Sequence, residues 1–277
     1  MRSKIGVGIV TCNREDFFKK CYESIPLDKV DELVIVNDGK PYSLVPREGY
    51  LIQHKANKGV GISKNDALKY LIEKDCTLLF LIEDDIIIKN PDVFEKYINT
   101  AEVSGLWHLM YGYHGPANKI NGNINPRTII DYKDEKVALN QHCVGAFCFY
   151  HVNIIKKLGL MDEKFKNAWE HLEHSYRIVN AGLIPAYWWW PDVANSYDYL
   201  DELACSEDNS TIRWEDAEKK IPKTDWQENI QKGAEYFYSV YKCSPITVPD
   251  TPLEGVTERL KQIKENYSRK ILQTQKI

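Results

Sequence analysis

Residues 78–90 read LLFLIEDDIIIKN, an apolar run interrupted by Glu83, Asp84 and Asp85. No other stretch constrains the fold as tightly. The run is too short to cross a bilayer, which takes about 20 apolar residues. Its length and polar bounds predict a buried strand. Three adjacent carboxylates repel one another, and burying them is costly unless positive charge lies close by. A solvated acidic turn at a strand end is one reading. The other is a hard divalent cation, Mg²⁺ or Mn²⁺, held by carboxylate oxygens.

The rest of the chain supplies a context for that run. KIGVGIVTC (4–12), DELVIVND (31–38) and GYLIQH (49–54) read as further strands. Helical spacing is expected over 14–25, capped by Asn13, and over 64–74, where Ser63 and Asp66 resemble a capping box. Asn90 and Pro91 open another helix. Strands alternating with helices predict an α/β fold with a mostly parallel sheet covered on both faces. Such sheets bind ligands beyond the carboxyl ends of their strands. Thr11–Asn13, Asn37–Asp38 and Glu83–Asp85 all fall at those ends, so three polar clusters converge on one edge.

Beyond residue 105 the pattern changes. Residues 106–150 are rich in Tyr, Trp, His, Asn and Gly, with strand-like pieces at 107–113, 128–132 and 143–150 and a mobile loop at 114–127. Helices are expected at 151–158 and 169–180, each closed by glycine, and an aromatic strand at 184–192. Residues 201–255 are polar, with helical stretches near 214–220 and 225–240. The tail from 256 carries an apolar helical stripe and six Lys and Arg against Glu258 and Glu265. It suits a helix on the core, an anionic membrane surface or a nucleic acid. The expected organisation is 1–105, 106–200 and a C-terminal extension, 201–277.

Composition narrows the classes. A net charge of −4 argues against a globally basic nucleic-acid binder. Seven cysteines, an odd number without a CxxC pair, fit neither a disulfide scaffold nor a structural zinc site, and point to reduced thiols in a cytoplasmic protein. The N-terminal apolar segment runs straight into charge and reads as a first strand, not a signal peptide.

Five segments, in order, resemble the GT-A glycosyltransferases of the family 2 type. VGIVTCNRED is similar to the opening strand and its TxNR-type loop, and VIVNDGK to the nucleobase- and ribose-binding turn. NKGVGISKNDAL is similar to the segment under the nucleotide, and LFLIEDD to the D-x-D strand end. VGAFCFYHVNIIKKLGLMDEKFKNAWEHLEHSYRIVNAG resembles the stretch that ends in the family's E-D-x-D helix. His171 stands where that family usually has its Asp base, and no histidine follows His174 to serve as the downstream metal ligand of some relatives.

The resemblance implies a GT-A fold and transfer of a sugar from a nucleotide-sugar donor to a hydroxyl acceptor such as a glycan. It implies inversion, and a Mn²⁺ or Mg²⁺ on the diphosphate held by Asp85, with Asp84 assisting or facing the ribose. Thr11, Asn13, Arg14, Asp38, Asn57, Gly61, Lys64 and Glu83 are the implied donor contacts. For the base, His171 and Glu170 stand level, with Glu173 behind them. An imidazole, with a reference pKa of about 6.5, suits neutral pH. Trp169, Tyr113, His114 and Trp189 are candidate acceptor contacts. EHLEH does not match HExxH, so a second metal site there is disfavoured.

Rival readings are weaker. A nicotinamide enzyme needs G-x-G-x-x-G after the first strand, and neither GVGIVT nor GVGISK supplies it. A sugar-nucleotide nucleotidyltransferase wants a glycine- and basic-rich loop where TCNRED stands. A non-catalytic nucleotide- or glycan-binding module stays open because of His171.

Overall fold

The computed structural model describes residues 3–43, 46–203, 210, 212–216, 218–219 and 221–274. Cys205 and Lys276 lie outside them. The central sheet has six strands in the order β3 (Tyr50–Gln53), β2 (Glu32–Asn37), β1 (Ile5–Thr11), β4 (Leu78–Glu83), β11 (Phe147–His151) and β6 (His108–Met110). The first four run parallel; β11 is antiparallel to both β4 and β6. The expected α/β architecture, mostly parallel, is what forms.

The apolar run 78–88 is used twice. Its first half is β4, with Leu78 to Ile82 buried between β1 and β11. The chain then turns at Asp84 and Asp85, and Ile86–Ile88 forms β5, which pairs antiparallel with β13 (Leu200–Glu202). The acidic turn is therefore held at both ends by strands.

Helix α1 (Glu15–Ser24) follows β1, and α2 (Val60–Glu73) packs on β1 and β2. Helix α3 (Val93–Ser104) packs beside β6 and a second sheet of β9 (Thr128–Tyr132), β10 (Glu135–Asn140) and β12 (Trp190–Val193), ordered β12-β10-β9. Phe80, Phe94, Tyr97, Phe147 and Phe149 meet face and edge where α3 crosses the central sheet. Each such buried ring contributes roughly 1.5–3 kcal/mol. Helices α4 (Val152–Leu158) and α5 (Glu170–Asn180) follow β11. Helices α6 (Thr224–Tyr241) and α7 (Leu253–Thr274) form the extension.

Several local expectations are corrected. Asn13 does not cap α1: it sits at φ 56° and its Oδ1 accepts from Lys40 N–H at 2.9 Å, while Arg14 takes the cap position. The Ser63–Asp66 box does not form, because α2 begins at Val60, four residues before the expected start. Its Val60 N–H donates to Asn167 Oδ1 at 3.1 Å, a cap supplied from a distant loop. Residues 114–127 contain a small hairpin, β7 (Lys119–Ile120) and β8 (Asn123–Ile124), around Asn121 and Gly122 at positive φ, as an Asn-Gly turn favours. Trp214–Asp216 is a strand (β14) paired with β15 (Ile221–Pro222), not a helix. The aromatic strand is confined to 190–193, since Trp188 turns through φ 67°.

The tail helix α7 spends its apolar stripe on the core. Val256, Leu260 and Ile263 are buried, α7 packs against α3, and Tyr267 meets Trp107 at 5.3 Å. The apolar face that a membrane-surface role requires is occupied, at least through residue 267. The stripe's next residue, Ile271, lies where side chains are not described. Among the described residues no helix is long and apolar enough to cross a membrane.

Candidate active site at the ends of β1 and β4

A cavity of about 370 Å³ opens beyond the carboxyl ends of β1, β2 and β4. Thr11 ends β1 beside Asn37, and Glu83 ends β4 beside Val10, so parallel register alone brings these polar ends level. Thr11, Arg14, Asp38, Glu83, Asp84, Asp85, His114, Trp169, Glu170 and His171 all border this space. Segments far apart in sequence therefore meet here.

The three carboxylates find protein cations. Lys64 Nζ donates to Glu83 Oε1 at 2.7 Å and to Gly145 O at 3.0 Å. Arg14 pairs with Asp84 and, at 3.1 Å, with Asp85 Oδ2. Thr11 Oγ1 donates to Asp84 Oδ2 at 2.6 Å. Burial and the Asp85 charge drive the Asp84 carboxyl above its ordinary range against the pull of Arg14. Burial pushes Asp85 the same way, but His114 and Arg14 overcome it and hold Asp85 below the usual range.

One oxygen is left over. Asp85 Oδ1 is buried and accepts no aligned hydrogen bond; its one neighbour is His114 Nε2, an ion-pair contact at 3.2 Å. Among the described residues no three His, Cys, Asp or Glu side chains form a closed metal cage. An open site fits these residues better: a hard cation takes one or two protein carboxylates and completes its shell with water and substrate phosphates.

The first turn of α5 borders the same cavity. Glu170 is 3% exposed, and its Oε1 lies 3.0 Å from His171 Nδ1 and 3.7 Å from Lys64 Nζ. Burial alone would raise the Glu170 pKa, but His171 and Lys64 outweigh it and lower it to about 2. The carboxylate is thus ionised at neutral pH and bound to an imidazole that is itself partly open to the cavity. Gly145 makes room for that ring, because a Cβ there would lie 2.6 Å from His171 Cγ.

Other candidates are placed elsewhere. Glu173 does not face the cavity; Arg177 Nε donates to its Oε1 at 2.8 Å and Tyr241 OH donates to the same oxygen at 2.5 Å. Its charge fastens α5 to α6. Lys64 is 1% exposed and spent on Glu83 beneath the site. Gly61 packs against Glu170 Cβ, and Asn57 Nδ2 donates to Asp38 O at 3.3 Å. The Asp38 carboxylate accepts from Lys58 N–H at 2.7 Å, Gly59 N–H at 2.8 Å and His54 Nδ1 at 2.6 Å. It shapes the loop before α2. Tyr113 is buried beside Tyr111 and Tyr197. Trp189 Nε1 donates to Asp250 Oδ1 and Thr251 O, both at 2.9 Å, with Arg127 on its ring. His174 is fully buried on Tyr150.

The site also has walls that the sequence reading missed. Arg213 and Trp226 from the extension border the cavity, the guanidinium 5.6 Å from the indole centre. Trp169 Nε1 donates to Ile230 O of α6 at 2.9 Å, which ties the cavity rim to the extension. A polar, irregular segment gives no periodic signal for such a role.

No protein-family model matches this chain. An uncharacterized glycosyltransferase of Acanthamoeba polyphaga mimivirus is 25% identical over 191 residues, covering 67% of each chain. The crystal structure of GalNAc-T7 with UDP, GalNAc and Mn²⁺ aligns over 96% of this chain and 54% of its own, with a TM-score of 0.50 and 11% identity. TarS of S. aureus aligns over 64% of this chain and 34% of its own, with a TM-score of 0.47 and 17% identity. The chain therefore spans a third to a half of these solved structures. Its fold is that of the GT-A glycosyltransferases.

Proposed function

We propose that this chain is a metal-dependent, inverting glycosyltransferase that moves a sugar from a nucleoside-diphosphate donor, a UDP-sugar above all, to an acceptor hydroxyl on a glycan or lipid-linked glycan. The observation that carries this reading is the meeting of two constellations on one cavity: the Asp84–Asp85 turn and the Glu170–His171 pair. The GT-A fold supports it, as does the name of the mimivirus relative. Residues 1–105 then bind the donor and 106–200 the acceptor, while the extension closes the cavity wall.

Asp85 Oδ1 is the oxygen that would hold Mn²⁺ or Mg²⁺, with Asp84 beside it. A divalent cation bound there supplies Lewis-acid stabilisation of the departing diphosphate. Arg14 adds fixed positive charge on the same side. Arg14 bridges the two aspartates, and Thr11 holds Asp84. Direct displacement at the sugar carbon inverts its configuration and needs one base and one leaving-group stabiliser, which is the inventory of this site.

His171 is the base. Its Nδ1–H is held by Glu170, which leaves Nε2 to take the proton of the attacking hydroxyl. Glu170 stays ionised, orients the ring and stabilises the imidazolium that forms. Trp169 and His114 lie on the cavity walls, Trp169 where a sugar face can pack. The six described cysteines are free thiols, which supports a reducing, cytoplasmic compartment.

A panel of nucleotide sugars with Mn²⁺ tests the reading through release of nucleoside diphosphate. Asp85→Asn should lower that release by roughly 10²–10³-fold with an unchanged circular dichroism spectrum. Equal turnover by the variant and the parent protein refutes it.

A further inference from the structure

Two buried polar atoms that face each other in the cavity wall make no hydrogen bond: Asp85 Oδ1 and His114 Nε2. They lie 3.2 Å apart. Asp85 is 1% and His114 7% exposed, so water does not satisfy them freely. Buried groups of this kind normally have partners, and an exception asks for an explanation. The other Asp85 oxygen is already engaged by Arg14. Oδ1 has only His114 Nε2 beside it, an ion-pair contact that is not aligned as a hydrogen bond.

The spacing itself is informative. Adjacent ligands on a cation with bonds of about 2.1 Å stand about 3 Å apart. A carboxylate oxygen and an imidazole nitrogen that are misaligned for a hydrogen bond, yet this close, match two neighbouring positions of one coordination shell. Both are also braced by the same strand. Leu203 N–H donates to Asp85 O at 2.7 Å, and Gly115 N–H, next to His114, donates to Glu202 Oε2 at 2.7 Å. Lys119 Nζ reaches the other Glu202 oxygen at 2.9 Å. The β5–β13 ribbon thus fixes the two groups relative to each other.

We infer that His114 is the second protein ligand of the divalent cation, binding through Nε2 beside Asp85 Oδ1. This rests on the proposed donor site and adds a ligand to it. The shell is then one carboxylate oxygen, one imidazole nitrogen, diphosphate oxygens and water. Nitrogen suits Mn²⁺ better than Mg²⁺, whose preference is for oxygen, so the site should favour Mn²⁺.

Titration of the full chain with Mn²⁺ in the presence of UDP, followed by electron paramagnetic resonance, tests this. The parent protein should bind Mn²⁺, and its spin-echo modulation should carry the coupling of one directly bound ¹⁴N. His114→Ala should lose that coupling and weaken Mn²⁺ binding by roughly tenfold or more, with His114→Gln as the check should the alanine variant fail to fold. Tight Mn²⁺ binding with no nitrogen coupling, or with a coupling that survives in both variants, overturns the assignment and leaves the donor site standing. Absence of Mn²⁺ binding by the parent protein with UDP overturns the metal-dependent donor site and the assignment together.

Discussion

His171 carries the sharpest consequence of the account at the scale of single residues. His171→Ala should lower kcat by roughly 10²–10⁴-fold while the donor KM changes little. Glu170→Gln should cost less, with the loss in kcat, because the ring loses the carboxylate that orients it. Steady-state kinetics across pH checks both; a profile unchanged in His171→Ala contradicts the role. The place of this site could be read from the sequence, because apolar strands ending at Thr11, Asn37 and Glu83 announce their own edges. What could not be read was which acidic and basic groups cancel one another. Lys64 and Asp38 sit in ligand-like positions along the chain, yet three-dimensional packing spends them on Glu83 and on the loop before α2. His114 illustrates the reverse: an isolated histidine in a Gly- and Tyr-rich stretch gives no hint that it stands 3.2 Å from Asp85.

Among elements, Lys64 of α2 joins Glu83 of β4 and Glu170 of α5 in one buried charge network. The Glu170 pKa is lowered from 4.5 to about 2 in the folded chain. A depressed carboxyl contributes stability that is fully present above its unfolded value and lost as pH falls through the folded one. The melting-temperature gap between the parent protein and Glu170→Gln should therefore be widest near neutral pH and should narrow from about pH 4.5 toward about pH 2. A constant gap over that range contradicts the network. The elements themselves were legible where period and length agreed, as in β1, β2, β4 and α5. They were not legible where the partner is remote: β5 exists because Leu200–Glu202 returns to pair with it. The start of α2 depends on Asn167 in the same way, and no local signal near Ser63 could reveal it.

Over the whole molecule, the described residues of the extension complete the domain on two sides. Arg213 and Trp226 border the cavity, and α7 covers α3. Leu260 is 3% exposed in that contact, so Leu260→Ala should destabilise the protein by about 2–4 kcal/mol in denaturant unfolding. A change below about 0.5 kcal/mol, typical of a surface site, would mean that α7 is not packed as described. The basic side of the tail helix gave the sequence several plausible partners, and only burial of its apolar stripe discriminates among them. The most direct test of the whole account is a crystal structure with a nucleotide sugar and Mn²⁺. The diphosphate should lie against Asp84 and Asp85 at the ends of β1 and β4, with the sugar between that turn and His171. A donor bound elsewhere, or a diphosphate out of reach of both aspartates, would contradict it.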